Sequence, residues 1–465
     1  MSDGISLGDW LDASRAARRL EARGSRGPLA AAKAELFRLC AETLAGGGVS
    51  PSAQAAAFFV PGRIEILGKH TDYAGGRSIL AAAQRGFCTL AVRRGDRLLG
   101  ITDARIGECR RVELAADLAV PAGTWFNYPL TVGRRLARNF QPPPLSGAEA
   151  AFASDLPIAS GMSSSSALMV STFLVLSWAG GLAGHPAYRA AIDGPESLAE
   201  YLGCVENGQS FRGLCGDRGV GTFGGSEDHV AMLRCRAGYL CRYSYCPVRF
   251  ERELAMPPGY SLAIASSGVA AEKTGDAMAK YNRASRLAAG VAGAWRAATG
   301  RGEPHIAAIL RGGADAADRL REVLSGPFAA GGEFSQGDLL RRFEHFLAES
   351  ERVIPAADDA LARGDLVEFG RQSDRSQELA ERLLGNQVEE TVWLARRGRE
   401  LGAAAASAFG AGFGGSVWAM VRGGEAADFI ARWKEAYRAQ FPQRAARAEF
   451  FLTGAGAGAM TIFDF

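Results

Sequence analysis

Between residues 29 and 46 apolar positions recur every three to four residues, the spacing of an amphipathic helix, and the pattern stops at the glycine run AGGG. Residues 55–68, AAAFFVPGRIEILG, then read as a strand with a Pro-Gly interruption. The segments GFCTLAVR (86–93) and GYLCRYSYCPVRF (238–250) are rich in β-formers and predict further strands. The longest apolar run, ALMVSTFLVLSWAGGLAG at 167–184, approaches the length of a membrane span. Its second half is broken by glycines, and it follows a serine-rich loop without basic anchors, so it predicts a buried core helix. A polar helix carries ESLAEYLGCVENGQSF around 190–210, and the Gly-rich loop RGLCGDRGVGTFGGSEDH follows. MPPGYSLAIASSG (256–268), a turn and then a strand, marks the candidate domain boundary. From 270 to 405 an Ala, Arg, Glu and Leu-rich stretch predicts several helices, and at 409–421 FGAGFGGSVWAMV is a glycine loop running into a strand. Strands alternating with helices place the chain in a mixed α/β or α+β class.

Composition narrows this reading. A chain of 465 residues, 48% of them apolar, exceeds one ordinary core and predicts two domains or three. The formal charge of +3 is small and basic runs are short, which speaks against nucleic acid or an anionic membrane surface as partner. The opening MSDGISLGDWLDASRAARRLEARGSRG has no apolar core of a secretory signal; it reads as an amphipathic helix with a Gly/Ser end. The eight cysteines form no CxxC pair, and Cys235, Cys241 and Cys246 lack zinc-ligand spacing, so they read as reduced thiols of a cytoplasmic protein.

Three stretches carry candidate chemistry. PGRIEILGKHTDYAGG (61–76) crowds Arg63, Glu65, Lys69, His70 and Asp72 around a glycine turn. LPIASGMSSSSAL (156–168) is a turn with clustered hydroxyls opening onto a helix, whose free N–H groups and dipole suit an anion. It lacks the GK[ST] of a Walker loop, and a plain serine cap explains it equally well. The loop FGAGFGGS is either tight packing or a close approach to a ligand.

Together, in order and spacing, these stretches resemble the three motifs of the GHMP kinases, and more narrowly those of the galactokinase branch, whose first motif reads PGRVNLIGEHTDYNGG. The resemblance runs from about residue 30 to the C-terminus. GTWFNYPLTVGRRL (123–136) resembles the family's W-x-N-Y segment, FGGSEDHVAML (223–233) its CGIMDQFISxxG segment, CVENGQSF its AEHxF and AKYNRAS its EYNVRR. It implies an N-terminal domain of the ribosomal S5 domain 2 type (29–255, after an extension at 1–28), a ferredoxin-like C-terminal domain (256–465), and an active site in the interdomain cleft. It implies ATP and Mg2+ as cofactors and a small sugar as substrate. Asp228 falls at the catalytic base and Arg63 at its partner. His70, Asp72, Gly225 and Tyr281 fall at sugar contacts. Ser160, Gly161, Ser163, Ser164, Ser165 and Ser166 fall at the phosphate loop, Trp125 and Tyr128 near adenine, and Ser165 and Glu206 at the metal. Read without the resemblance, Glu227 and Asp228 are ordinary helix-cap residues, Glu206 a solvated helix carboxylate, and Trp125 with Tyr128 core packing. His229 stands where the family has Gln and is read as supporting, not catalytic.

Two departures stand out. The chain between Glu206 and Asp228 is longer than the resemblance implies, by GLCGDRGVGT. Lys69 stands where the family has a Glu near the sugar 6-position, and Glu65 where it has Asn. If strand alternation persists, Arg63, Glu65, Leu67 and Lys69 share a face. Lys69 then either meets a sugar carboxylate, as in galacturonate, or pairs with Glu65 or solvent while galactose binds. The expected activity is galactokinase, an ATP-dependent sugar 1-kinase. The alternatives are a kinase for galacturonate or another galactose-like sugar, and a non-catalytic sugar- and ATP-binding regulator. The HTDYxGG segment disfavours a mevalonate-type kinase.

Overall fold

A computed structural model describes residues 5–25, 27–121, 123–143, 145–270, 275–327 and 333–461. The first sheet is built from β1 (Ala55–Leu67), β2 (Arg77–Arg93), β3 (Leu98–Asp103), β4 (Glu108–Glu113), β5 (Ala148–Ser154), β6 (Tyr239–Ser244) and β7 (Arg249–Ala255). The second is formed by β8 (Tyr260–Ser266), β9 (Ala405–Phe409), β10 (Ser416–Arg422) and β11 (Glu449–Thr453), in the antiparallel order β11-β8-β10-β9. The change of sheet thus falls in the turn before 260. The last described strand, β12 (Met460–Thr461), returns to the first sheet and pairs with β1.

Alternation along β1 decides what covers the first sheet. Ala55, Ala57 and Phe59 pack against α1 (Leu7–Trp10), α2 (Ala13–Ala22) and α3 (Pro28–Gly46). The opposite face of β1, with Ala56 and Phe58, turns toward α4 (Asn127–Asn139) and α5 (Ser164–Gly180). The N-terminal stretch is therefore a helical cover for the sheet, with Leu7, Trp10, Ala16 and Leu20 buried; of its first residues, 1–4 lie outside the described residues, as does Arg26 of its Gly/Ser end. Asp12 splits the expected single helix, because its carboxylate caps the start of α2 by accepting from the N–H groups of Ser14 and Arg15. The apolar run at 167–184 is core helix α5, and among the described residues no helix is long and apolar enough to cross a membrane. After α6 (Pro186–Ala191), α7 (Pro195–Asn207) and α8 (Glu227–Arg234) complete this side.

Beyond β8 the helical stretch comprises α9 (Gly275–Thr299), α10 (Ile306–Leu310), α11 (Ala316–Ser325), α12 (Gln336–Ala348), α13 (Ile354–Ala362), α14 (Leu366–Leu379) and α15 (Glu389–Glu400). With α16 (Ala426–Gln440), α15 covers one face of the second sheet through Leu394, Phe429, Trp433 and Tyr437. The other face, with Ile264, Trp418 and Met420, joins Ile64 and Ile66 of β1 in one continuous core. The Trp418 indole N–H donates to the Ile66 carbonyl at 3.1 Å, stitching the two sheets together. All eight cysteines are free thiols.

Candidate active site

Where the two sheets meet, the loops leave a cleft of about 460 Å3. Its floor is β1. Arg63 projects from that strand, and its Nε donates to Asp228 Oδ1 at 2.6 Å. Asp228 sits in the first turn of α8, so a strand and a helix start fix the two partners from opposite sides. Glu65 and Glu227 also face the guanidinium, at 3.5 and 3.6 Å. Burial works against the Arg63 charge, but the three carboxylates outweigh it and raise its pKa further above the ordinary arginine value.

Glu65 and Glu227 form a hydrogen-bonded carboxyl pair, and burial raises the pKa of each. Burial and the closeness of the two carboxyls therefore favour one proton shared by the pair. This has a consequence for stability. Below an ordinary carboxyl pKa near 4.5 both folded and unfolded chains carry the proton. As pH rises the unfolded chain releases it first, so the folded state loses stability until the folded pKa is passed. Glu227→Gln removes that loss. Its melting temperature is expected to match the parent near pH 4 and to exceed it at pH 8 by a few degrees, about 1 kcal/mol or more. A variant equally or less stable at pH 8 would refute the buried acid.

The serine loop forms the wall beside Arg63, whose backbone N–H donates to the Met162 carbonyl at 3.1 Å. Ala159, Gly161 and Ser163 all have left-handed backbone, with φ of 51°, 75° and 59°. Two of these are not glycines, a strain that binding loops retain and simple turns avoid. The cap explanation fails here, because Ser163, at the N-cap of α5, makes no side-chain capping bond. The Ser160 hydroxyl is buried without a hydrogen-bond partner among the described residues. Ser163, Ser164 and Ser165 line the cleft, so the helix start faces it with free N–H groups. The glycine loop after β9 explains itself by contact: a Cβ on Gly410 would stand 2.8 Å from the Gly161 carbonyl, and Ser416 Oγ donates to the Ser160 carbonyl at 2.7 Å. One glycine loop therefore braces the other.

Glu206, at the end of α7, is buried and lines the cleft. The hydroxyl that reaches it is Ser166, at 2.8 Å, and the same hydroxyl lies 3.4 Å from Asp228 Oδ2. His229 Nε2 is 3.3 Å from Glu206, a supporting contact behind the carboxylate. Ser165, the neighbour of Ser166, is half-buried in the cleft lining.

His70, Asp72, Tyr73, Gly224, Gly225 and Tyr281 close the far end. Asp72 accepts from the backbone N–H groups of Tyr73 and Glu227, at 2.8 and 3.2 Å, which fixes its carboxylate; burial raises its pKa. A Cβ on Gly225 would stand 2.3 Å from Asp72 Oδ2, so only glycine fits there. The His70 ring lies between the Tyr73 hydroxyl at 2.9 Å and the Ala411 carbonyl at 3.0 Å. Of the aromatic pair, Tyr128 lines the cleft, whereas Trp125 packs on Phe126 and Phe152 and donates its indole N–H to Glu108 at 2.8 Å.

Lys69 is not in the cleft lining. It is fully buried, and its ammonium donates to Ser407 at 2.8 Å and Ser376 at 3.0 Å. The expected shared face breaks at a bulge: Glu65 pairs with Leu80 and Leu67 with Ile79, so two residues advance on β1 for one on β2. Gly68 and His70, with φ of 123° and 58°, then turn the chain away. The expected exchange of charge is therefore not a direct pair: Glu65 stays with Arg63 and Glu227, and Lys69 goes to the serines. Tyr73 gives no signal in the sequence beyond an aromatic inside the motif, and Glu227 reads there as a helix cap.

Comparison with known proteins gives three family matches: the galactokinase galactose-binding signature over residues 48–94, the GHMP kinases N terminal domain over 127–192 and the GHMP kinases C terminal model over 358–439. A galactokinase of Chloroflexus aggregans is 29% identical over 385 residues, covering 80% of this chain and 85% of its own. One from Actinobacillus pleuropneumoniae is 29% identical over 319 residues, 67% and 71% of the two chains. Among solved structures, Lactococcus lactis galactokinase complexed with galactose superposes with a TM-score of 0.70 at 21% identity, over 90% of this chain and 98% of that one. A mevalonate kinase does so at 0.52 and 14%, over 86% and 98%.

Proposed function

We propose, for a chain that belongs to the GHMP kinase superfamily and to its galactokinase-like branch, that it moves the γ-phosphoryl group of ATP onto the anomeric hydroxyl of galactose, giving galactose 1-phosphate and ADP. The observation that carries this is the Arg63–Asp228 pair at 2.6 Å, set in a cleft that an uncapped helix start also lines. A sugar hydroxyl is a weak nucleophile, and phosphoryl transfer needs positioning, charge neutralisation and a place for one proton. Asp228 takes that proton. Arg63 orients the carboxylate through Nε, and its charge at the cleft wall favours the negative transferring group. Asp72, Gly225, His70 and Tyr281 hold the sugar. The loop Ser160–Ser166 holds the phosphates, with Tyr128 on the adenine side.

The donors present suit Mg2+, which takes oxygen ligands and keeps much of its shell for phosphate and water. Ser165 and Glu206 would hold it, and bound there it would neutralise phosphate charge. Ser165→Ala is expected to raise the KM for magnesium-ATP severalfold while changing the sugar KM by less than about twofold. Identical ATP kinetics across a magnesium titration would reduce that hydroxyl to a bystander.

A neutral sugar fits better than a uronic acid. Lys69, the motive for a carboxylate ligand, is spent on Ser376 and Ser407, and the lining sets Asp72, Asp228 and the one charge of the Glu65–Glu227 pair against Arg63. A regulator without catalysis would have no use for a base held by an arginine. The test is phosphorylation of a panel of free sugars and uronic acids with ATP and magnesium. Galactose 1-phosphate as the main product supports the reading; turnover confined to uronic acids, or none with any sugar, refutes it.

A further inference from the structure

The added segment between Glu206 and Asp228 runs along α4 from its end to its start. Near the helix end, Asn139 Nδ2 donates to the Cys215 carbonyl at 3.0 Å and Arg138 Nη1 to that of Gly216 at 3.2 Å. One turn earlier, Asp217 takes Arg134 Nε at 2.8 Å and stands 3.6 Å from Arg135 Nη1; all three side chains are at most 6% exposed. At the helix start, Asn127 Nδ2 donates to the Val220 carbonyl at 3.2 Å, beside Tyr128 of the cleft lining. Beyond it Asn282, the neighbour of Tyr281, accepts from the Phe223 N–H and donates to the Gly221 carbonyl, both at 2.9 Å. The chain then passes through Gly224 and Gly225 to Asp228. The segment also hangs from α7, through the Val220 N–H and the Glu206 carbonyl at 2.8 Å.

We propose that Asp217 is a positioning residue for nucleotide binding: the segment 213–222 is a strap that fixes α4, and with it Tyr128, against the part of the chain that carries the catalytic base. The inference rests on the kinase reading for the identity of the nucleotide side. A buried carboxylate between two arginines sets the strap's register, because either guanidinium left alone would be a buried unpaired charge. With the pair intact, α4 cannot slide along its axis without breaking bonds at both ends. A displacement of an ångström at such a site costs one to two orders of magnitude in function. The cost falls on the nucleotide, because the sugar contacts have anchors other than Asp217. Asp72 and His70 stand in the turn after β1, Gly225 packs on Asp72 behind an Asn207 bond to the Gly224 carbonyl at 2.8 Å, and Asn282 beside Tyr281 belongs to α9.

The experiment compares parent and Asp217→Asn by three readings: displacement of a fluorescent ATP analogue by magnesium-ATP, KM for ATP and for galactose, and the melting temperature. The expected result is an ATP dissociation constant weakened about tenfold, a matching rise in ATP KM, and a galactose KM within about twofold of the parent. ATP affinity within about twofold of the parent in the folded variant, or both KM values rising by the same factor, overturns the proposal. If Asp217→Asn does not fold, Arg138→Ala removes an exposed anchor without stranding a charge. It is expected to weaken ATP severalfold at an unchanged melting temperature, and unchanged affinity overturns the proposal. Analogue displacement needs no sugar turnover, so a parent that phosphorylates no sugar sinks the kinase reading while the strap is still decided by nucleotide affinity.

Discussion

Asp228→Asn is expected to lower turnover by at least about a hundredfold while leaving a folded protein. The amide has the shape of the carboxylate but cannot take the sugar's proton, and it offers Arg63 Nε one neutral oxygen in place of a charged one at 2.6 Å. Two contributions vanish together: general-base help, worth about two to four orders of magnitude on its own, and the charge that holds the guanidinium in line. The fold survives because Arg63 is not left alone. Glu65 and Glu227 remain at 3.5 and 3.6 Å, and the one negative charge of that pair still faces the guanidinium. The same change ought to move the sugar KM little, since Asp72 keeps its two backbone donors. Single-turnover rates with saturating ATP and galactose, together with a melting curve, separate these statements. A variant turning over within about threefold of the parent removes Asp228 from the chemistry.

The family motifs, more than local chemistry, made much of this site legible in the chain. Asp228 read alone is a helix cap, and only the motif around it sets it with Arg63, 165 residues away. The hydroxyl cluster at 163–166 announced a helix start, and the helix begins there. What the sequence hid was whatever depended on register or on the far domain. Period-two counting put Lys69 beside Glu65, and one bulged residue undid it. Its partners Ser376 and Ser407 lie more than three hundred residues away, one on a charged helix and one in an alanine run, and neither carries a local signal. Glu227 looked like a cap because acidic residues are common at helix starts; only the return of β1 beneath α8 makes it half of a buried acid pair. The added loop was visible as extra length, but its purpose needed Arg134 and Arg135, which in sequence are two more arginines on a helix.

Lys69→Glu shows how far the environment of that residue departs from a sugar-binding surface. In a cleft position the exchange would restore the family's acceptor and alter substrate preference. Here it is expected to destabilise the fold by about 3–5 kcal/mol, the cost of leaving buried charge without its partner. The Lys69 ammonium is the cation of a buried junction between domains. Ser376, one of its two acceptors, donates its hydroxyl to Glu349 Oε1 at 2.8 Å, and that same oxygen accepts the Gly68 N–H at 2.9 Å. Lys69 also lowers the pKa of Glu65, which burial raises, so its charge is felt on the cleft side too. A glutamate at 69 would place a third carboxylate near Glu349 and Glu65, far from water, with no cation to balance it. Lys69→Gln keeps an N–H2 group for the two serines and removes only the charge; it is expected to cost about 1–2 kcal/mol. The check is a pair of thermal melts read beside the ratio of kcat/KM for galactose and galacturonate. The buried junction requires a steep loss of melting temperature in Lys69→Glu, a shallow one in Lys69→Gln, and one substrate ratio for parent and both variants wherever the protein remains folded. A Lys69→Glu protein that melts with the parent and turns toward a different sugar would put the lysine back in the cleft.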